Sequence, residues 1–85
     1  MIGYHLETVP QPPSNGMWLD KLRWLCAVMD NDDPDLAFAC GLLENCLKFD
    51  GLTERQARYA GKISKRIEAH FDAGILAAQQ REIDA

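Results

Sequence analysis

Apolar and polar residues alternate along this chain in a way that divides it into a strand-like lead, a proline-rich link and three amphipathic stretches of helical period. In residues 1–9, Ile2, Tyr4 and Leu6 are set against Gly3, His5 and Glu7. One strand finds no partner within this chain, so an extended arm is expected there. Pro10, Pro12 and Pro13 then exclude a helix and favour polyproline geometry as far as Gly16. From Met17 to Met29, the residues Trp18, Leu22, Leu25 and Met29 recur on one helical face, with Leu19 and Cys26 beside them. Ser14 or Asn15 is the expected cap. Met17, Trp24 and Val28 widen the apolar arc, and Asp20, Arg23 and Ala27 mark the solvent face.

After the turn Asp30-Asn31-Asp32-Asp33, a second helix is expected to open at Pro34, with Asp33 as N-cap and Asp32, Asp33 and Asp35 at the positive end of its dipole. Leu36, Cys40, Leu43 and Leu47 form one apolar strip, flanked by Ala39 and Cys46. Phe38, Leu42 and Phe49 form another, leaving only Gly41, Glu44, Asn45 and Lys48 polar or neutral. A helix apolar on most sides is expected at the centre of the bundle or between two subunits. Gly51 is the expected left-handed cap. In the third helix, Thr53 and Gln56 have capping-box spacing, and Leu52 with Ala57 occupies the staple positions. Ala60, Ile63, Ile67 and Phe71 should line its inner face, and Gly74 is placed to end it.

The expectation is therefore an all-α fold. A small bundle of three main helices, at about 17–29, 34–49 and 54–73, occupies a helical domain over 17–85. An extended Pro-rich arm covers 1–16, and residues 75–83 fray or form a short C-terminal helix. Eighty-five residues allow one domain with a limited core, which favours a partner or a second copy. With 47% hydrophobic and 26% charged residues, the composition is that of a globular domain rather than a disordered one.

Charge changes the picture, because it is unevenly placed. The chain carries net −4, so it is not a basic nucleic-acid binder as a whole. Residues 1–50 carry net −5 and residues 71–85 net −2, whereas residues 51–70 carry net +3. In that middle stretch Arg55, Arg58, Lys62, Lys65 and Arg66 fall within an arc of roughly 100°, opposite Ala60 and Ile67, with Tyr59 and His70 at its border. Four or five cations on one face suit a phosphate backbone, whose condensed counterions they displace. The alternatives are a solvated face, a docking face for the acidic turn at 30–35, or a site for an acidic protein.

Other chemistry finds less support. Asp30, Asp32, Asp33 and Asp35 partly match a calcium loop, but Pro34 interrupts it and the loop glycine and bidentate glutamate are missing, so capping is the simpler role. His5 and His70 have no nucleophile or acid at catalytic spacing. Phosphate-loop, dinucleotide and zinc patterns are lacking, and a small bundle leaves little room for a small-molecule substrate, so no enzyme, cofactor or metal is expected. Cys40 and Cys46 would stand about 9 Å apart along one helix, too far for a disulfide. Together with Cys26 they fit buried thiols in a reducing compartment. A chain with neither a signal-peptide pattern nor a membrane-length apolar run is expected in the cytoplasm.

Trp18 and Trp24 point to different sides of helix one. Unless the arm covers it, Trp24 would be exposed with Met17, Val28 and Phe49 as a patch for a partner. Trp24, Val28, Phe38, Leu42 and Phe49 thus define an alternative, apolar interface for a homodimer or for inhibition of a host protein.

The run Leu36-Ala37-Phe38-Ala39 through Gly51-Leu52-Thr53-Glu54-Arg55-Gln56-Ala57-Arg58-Tyr59-Ala60 resembles a helical hairpin of small phage and prophage proteins. There an apolar helix, a Gly-Leu-Thr/Ser-x-x-Gln junction and a basic helix follow one another. The resemblance covers residues 36–67, brings no catalytic residues, and implies an accessory protein near phage replication and recombination functions. The expected activity is binding, by the face of Arg55, Arg58, Tyr59, Lys62, Lys65 and Arg66, to nucleic acid or to a nucleic-acid-processing protein.

Overall fold

A computed structural model describes residues 9–14 and 16–76. The arm over 1–8, His5, Asn15 as a cap and the stretch 77–85 lie outside these residues. Three helices make the all-α bundle: α1 (Trp18–Val28), α2 (Leu36–Phe49) and α3 (Glu54–Asp72). No described helix is long and apolar enough to cross a membrane.

Helix α1 carries the deepest residues. Leu22, Leu25, Cys26, Val28 and the following Met29 are fully or almost fully buried. It packs most extensively against α2, and both α1 and α2 contact α3. Helix α2 therefore lies between the other two as much as α1 does, but it leaves one side open. That helix buries Ala39, Leu42, Leu43 and Cys46, a seam running between the two predicted apolar strips. The outer flanks of those strips, Leu47 on one side and Phe38 and Phe49 on the other, remain exposed. The inner face of α3 is the expected one, with Ala60, Ile63 and Ile67 buried and Phe71 packed partly against them. Ser64 joins it as a buried polar residue, its Oγ donating to Glu68 Oε2 at 2.8 Å.

The helix ends follow local chemistry. Met17 occupies the N-cap of α1 without a side-chain cap bond, and Gly16, at φ +76°, turns the chain into the helix. Ser14 lies outside that turn and does not cap it. The N-cap of α2 is Asp35, without a side-chain cap bond, and not Asp33, which instead forms the turn before it: its Oδ1 accepts the Asp35 N–H at 2.9 Å, and its carbonyl accepts the Leu36 N–H at 3.1 Å. The turn through Pro34 and Asp35 is thus a tighter lead-in, and the regular helix begins two residues later than expected. The capping box of α3 is complete, with Gln56 N–H donating to Thr53 Oγ1 at 3.1 Å and Thr53 N–H donating to Gln56 Oε1 at 2.9 Å.

Two Schellman closures end α2 and α3. In α3, Gly74 takes the left-handed position (φ +73°), and the Ile75 N–H reaches back to the His70 carbonyl at 3.1 Å. In α2 the left-handed residue is Asp50 (φ +59°) and not Gly51, one residue earlier than expected. The Gly51 N–H closes it on the Cys46 carbonyl at 3.2 Å. An L residue held there carries a steric cost that glycine avoids. Asp50→Gly should therefore raise stability by about 0.5–1 kcal/mol. Urea unfolding checks this, and a lower midpoint would show that the Asp50 side chain stabilises the turn.

The arm is part of the packing. Val9 lies against the core, and Trp24 Nε1–H donates to the Pro10 carbonyl at 2.8 Å. The Trp24 ring meets Phe71 edge to face, with centroids 6.1 Å apart. One indole therefore ties the arm, α1 and the end of α3 together.

Candidate nucleic-acid interface

The α3 periodicity that buries Ala60, Ile63 and Ile67 turns Arg55, Arg58, Lys62 and Lys65 to the opposite side, where all four are exposed. Their spacing of three, four and three residues sets them along one line of the helix. Arg58 comes within 3.9 Å of the Glu54 carboxylate, but both side chains are well exposed, so the pair holds Arg58 only weakly. Arg55 and Lys65 form no ion pair among the described residues. Lys62 Nζ stands 5.7 Å from the centroid of the Tyr59 ring, within cation–π range.

Arg66 does not belong to this free face. Its guanidinium clamps Asp33 with two bonds, Nη1 to Oδ2 at 2.9 Å and Nη2 to Oδ1 at 3.0 Å, and Nη2 also donates to Asp35 Oδ2 at 3.0 Å. Arg66 stays within the arc of the stripe, roughly 20° around the helix from Arg55, and is taken out of the free face by these bonds alone. The Asp33 side chain is only 9% exposed and that of Arg66 38%. The Arg66 hydrogen bonds hold the Asp33 carboxyl below its ordinary range, against the opposing effect of burial. The same bonds raise Arg66. One cation of the predicted stripe is thus a structural latch between α3 and the mouth of α2, satisfying part of the acidic turn. Asp30 is engaged locally, its Oδ1 accepting the Asp32 N–H at 3.0 Å.

The predicted apolar interface does not form as one surface. Trp24, Val28 and Leu42 are 6%, 1% and 3% exposed, buried in the chain's own core, because the arm and Phe71 cover Trp24 and because α2 turns Leu42 inward. Phe38 and Phe49 remain outside, at 46% and 70% exposure.

Phe38 has a neighbour that neither helix discloses alone. It meets Tyr59 of α3 edge to face, with centroids 6.0 Å apart and ring planes at 86°. Tyr59 is itself 44% exposed. The structure therefore extends the basic face sideways into an aromatic pair shared by α2 and α3. Helical periodicity marked Phe38 as apolar and accessible, but the contact depends on how α2 and α3 are rotated against each other.

Two clefts lie outside this face, with none of its cations or paired rings in their walls. One, of about 330 Å³, is lined by Val28, Asp30, Asp32, Asp33, Pro34, Ile67, His70, Ile75 and Leu76. The other, of about 510 Å³, lies at the α2–α3 junction between Phe49, Leu52 and Gln56. His70 faces the acidic turn across the first cleft, with no nucleophilic side chain among its lining residues. Cys26 and Cys46 are buried and Cys40 half-buried, and none of the three is in a disulfide among the described residues. No protein-family model, curated protein or solved structure matches this chain.

Proposed function

We propose that this chain is a non-enzymatic accessory protein of the phage or prophage type, working in a reducing, cytoplasmic compartment. It acts by binding, through the α3 face of Arg55, Arg58, Lys62 and Lys65, to a nucleic-acid backbone. The observation that carries this is the segregation of charge. An acidic chain presents four exposed cations along one side of one helix, after its fifth cation there has been taken up by Asp33 and Asp35. Cations spaced along a rod match the repeated charges of a phosphate backbone, and the surrounding negative charge limits contact to that side. Base-edge readout is not part of this proposal, which rests on cations spaced along one helix face, the arrangement that meets phosphates rather than base edges.

The test is a triple charge reversal, Arg58→Glu with Lys62→Glu and Lys65→Glu. All three residues are exposed, so the bundle should stay folded. Binding to a labelled oligonucleotide at about 50 mM salt should fall by at least a hundredfold, because three phosphate contacts become repulsions. Unchanged affinity in a folded variant would refute the proposal.

A further inference from the structure

The basic line alone suits single strands and duplexes equally, but the aromatic pair beside it does not. We infer that the Phe38–Tyr59 pair is a stacking platform, making this a binder of single-stranded nucleic acid. The inference rests on the proposed function of the α3 face and names the form of nucleic acid it takes.

Three observations converge. First, two rings from different helices stand in contact at the surface and each keeps close to half of its area open. Core aromatics at this depth would be covered, as Trp24 is. Second, cations flank the pair: Lys62 Nζ lies over the Tyr59 ring, and Arg55 is one helical turn before Tyr59 on the exposed side. Third, Phe49 stands on the same side of α2 as Phe38, eleven residues or about 16 Å further along. It is the most exposed large apolar side chain among the described residues, with Lys48 Nζ 5.9 Å from its ring centroid.

Exposed rings interleaved with cations are what an unpaired strand uses. Its bases offer free π-faces for stacking while its phosphates follow the positive charge. A duplex stacks its bases internally and gains nothing from Phe38 or Tyr59. An acidic protein segment would use the cations but has no regular supply of flat rings to place on the pair. The platform is sequence-tolerant, because every base has a π-face.

The test compares oligothymidine, a duplex of equal length and polyglutamate as ligands of the intact chain. Oligothymidine should bind at least tenfold more tightly than the other two. Phe38→Leu with Tyr59→Leu preserves apolar contact between α2 and α3 but removes both ring faces. It should weaken oligothymidine binding about tenfold per ring and affect duplex binding much less, the residual effect coming from Lys62, which rests over the Tyr59 ring. Phe38→Trp should retain single-strand affinity. In the wild-type chain, ring proton resonances of Phe38 and Tyr59 should shift on adding oligothymidine and stay fixed on adding duplex, which needs no variant to fold.

Equal binding of single strand and duplex, or unshifted ring resonances, would overturn the stacking platform while leaving a phosphate-binding α3 face intact. Polyglutamate binding as tight as oligothymidine would overturn it in favour of an acidic protein partner. Loss of single-strand binding in the leucine pair but not in the triple charge reversal would refute the α3 face, and with it the inference that the rings serve a strand held by those cations.

Discussion

Trp24→Ala should remove about 3–5 kcal/mol of stability, the usual cost of truncating a buried tryptophan. A domain of this length has only about 4–13 kcal/mol in total. The variant should therefore be largely unfolded at moderate temperature. The cost arises from three elements at once: the ring fills space in α1 beside fully buried Leu25 and Val28, it meets Phe71 of α3, and it holds Pro10 of the arm. Trp24→Phe separates these terms. It keeps an aromatic ring against Phe71 and deletes the donor to the Pro10 carbonyl, so its cost should be about 1–2 kcal/mol. Chemical denaturation followed by circular dichroism measures both. In a Trp18→Phe background the remaining indole should resist acrylamide quenching as a buried ring does. A cost below about 1 kcal/mol for Trp24→Ala would mean that the indole sits at the surface, where surface substitutions are nearly neutral.

The second large effect is expected at the Asp33–Arg66 latch, and it depends on pH. Asp33→Asn keeps a side-chain oxygen able to accept the Asp35 N–H but removes the charge that Arg66 clamps. It should cost about 1–2 kcal/mol at neutral pH, below the figure for fully buried pairs because the Arg66 side chain is partly open to solvent. The folded-state pKa of Asp33 is lowered. Its stabilising contribution is therefore complete above the unfolded-state pKa of about 3.9, and is lost as pH falls through the lower folded-state value. The stability difference between wild type and Asp33→Asn should stay constant from neutrality to about pH 5 and shrink below about pH 4. Arg66→Met should show a neutral-pH cost of the same order, since it leaves Asp33 without its partner. A gap between wild type and Asp33→Asn that persists undiminished into strong acid would assign the loss to turn geometry rather than to charge.

The parts of this fold that were legible in the sequence are those decided within one turn of helix. Thr53 and Gln56 close a capping box over three residues, and the Asp33 carboxylate accepts the backbone N–H two residues ahead. Ala60, Ile63 and Ile67 repeat on a helix with a single apolar stripe, so their face had one solution. Helix α2 had two apolar strips, and periodicity alone could not say that the seam between them would be buried. Contacts between distant segments could be read only as alternatives: that the arm covers Trp24, and that the acidic turn docks on the basic face, were both open, and packing decided each. Trp24 is covered by Pro10, fourteen residues away, and Arg66 is taken from the basic stripe by Asp33, thirty-three residues away. The Asp50 turn was misplaced by one residue because glycine is the usual occupant of a left-handed position, and here the chain takes that position one step before it.

The candidate site divides along the same line. Arg55, Arg58, Lys62 and Lys65 could be read from spacing, since an exposed helical face needs only one helix. The pairing of Phe38 with Tyr59 needed the packing of two.

The most direct measurement is the salt dependence of oligonucleotide binding by the intact chain. Labelled oligothymidine should be titrated between about 50 and 200 mM salt on a sample of known mass. Four side-chain cations that neutralise phosphates and release the counterions of a single strand should give a slope of about −3 in log affinity against log salt, or roughly a fiftyfold loss across that range. No binding at the lowest salt, or an affinity indifferent to salt, would contradict a phosphate-binding role for α3 and leave its cations as a solvated face.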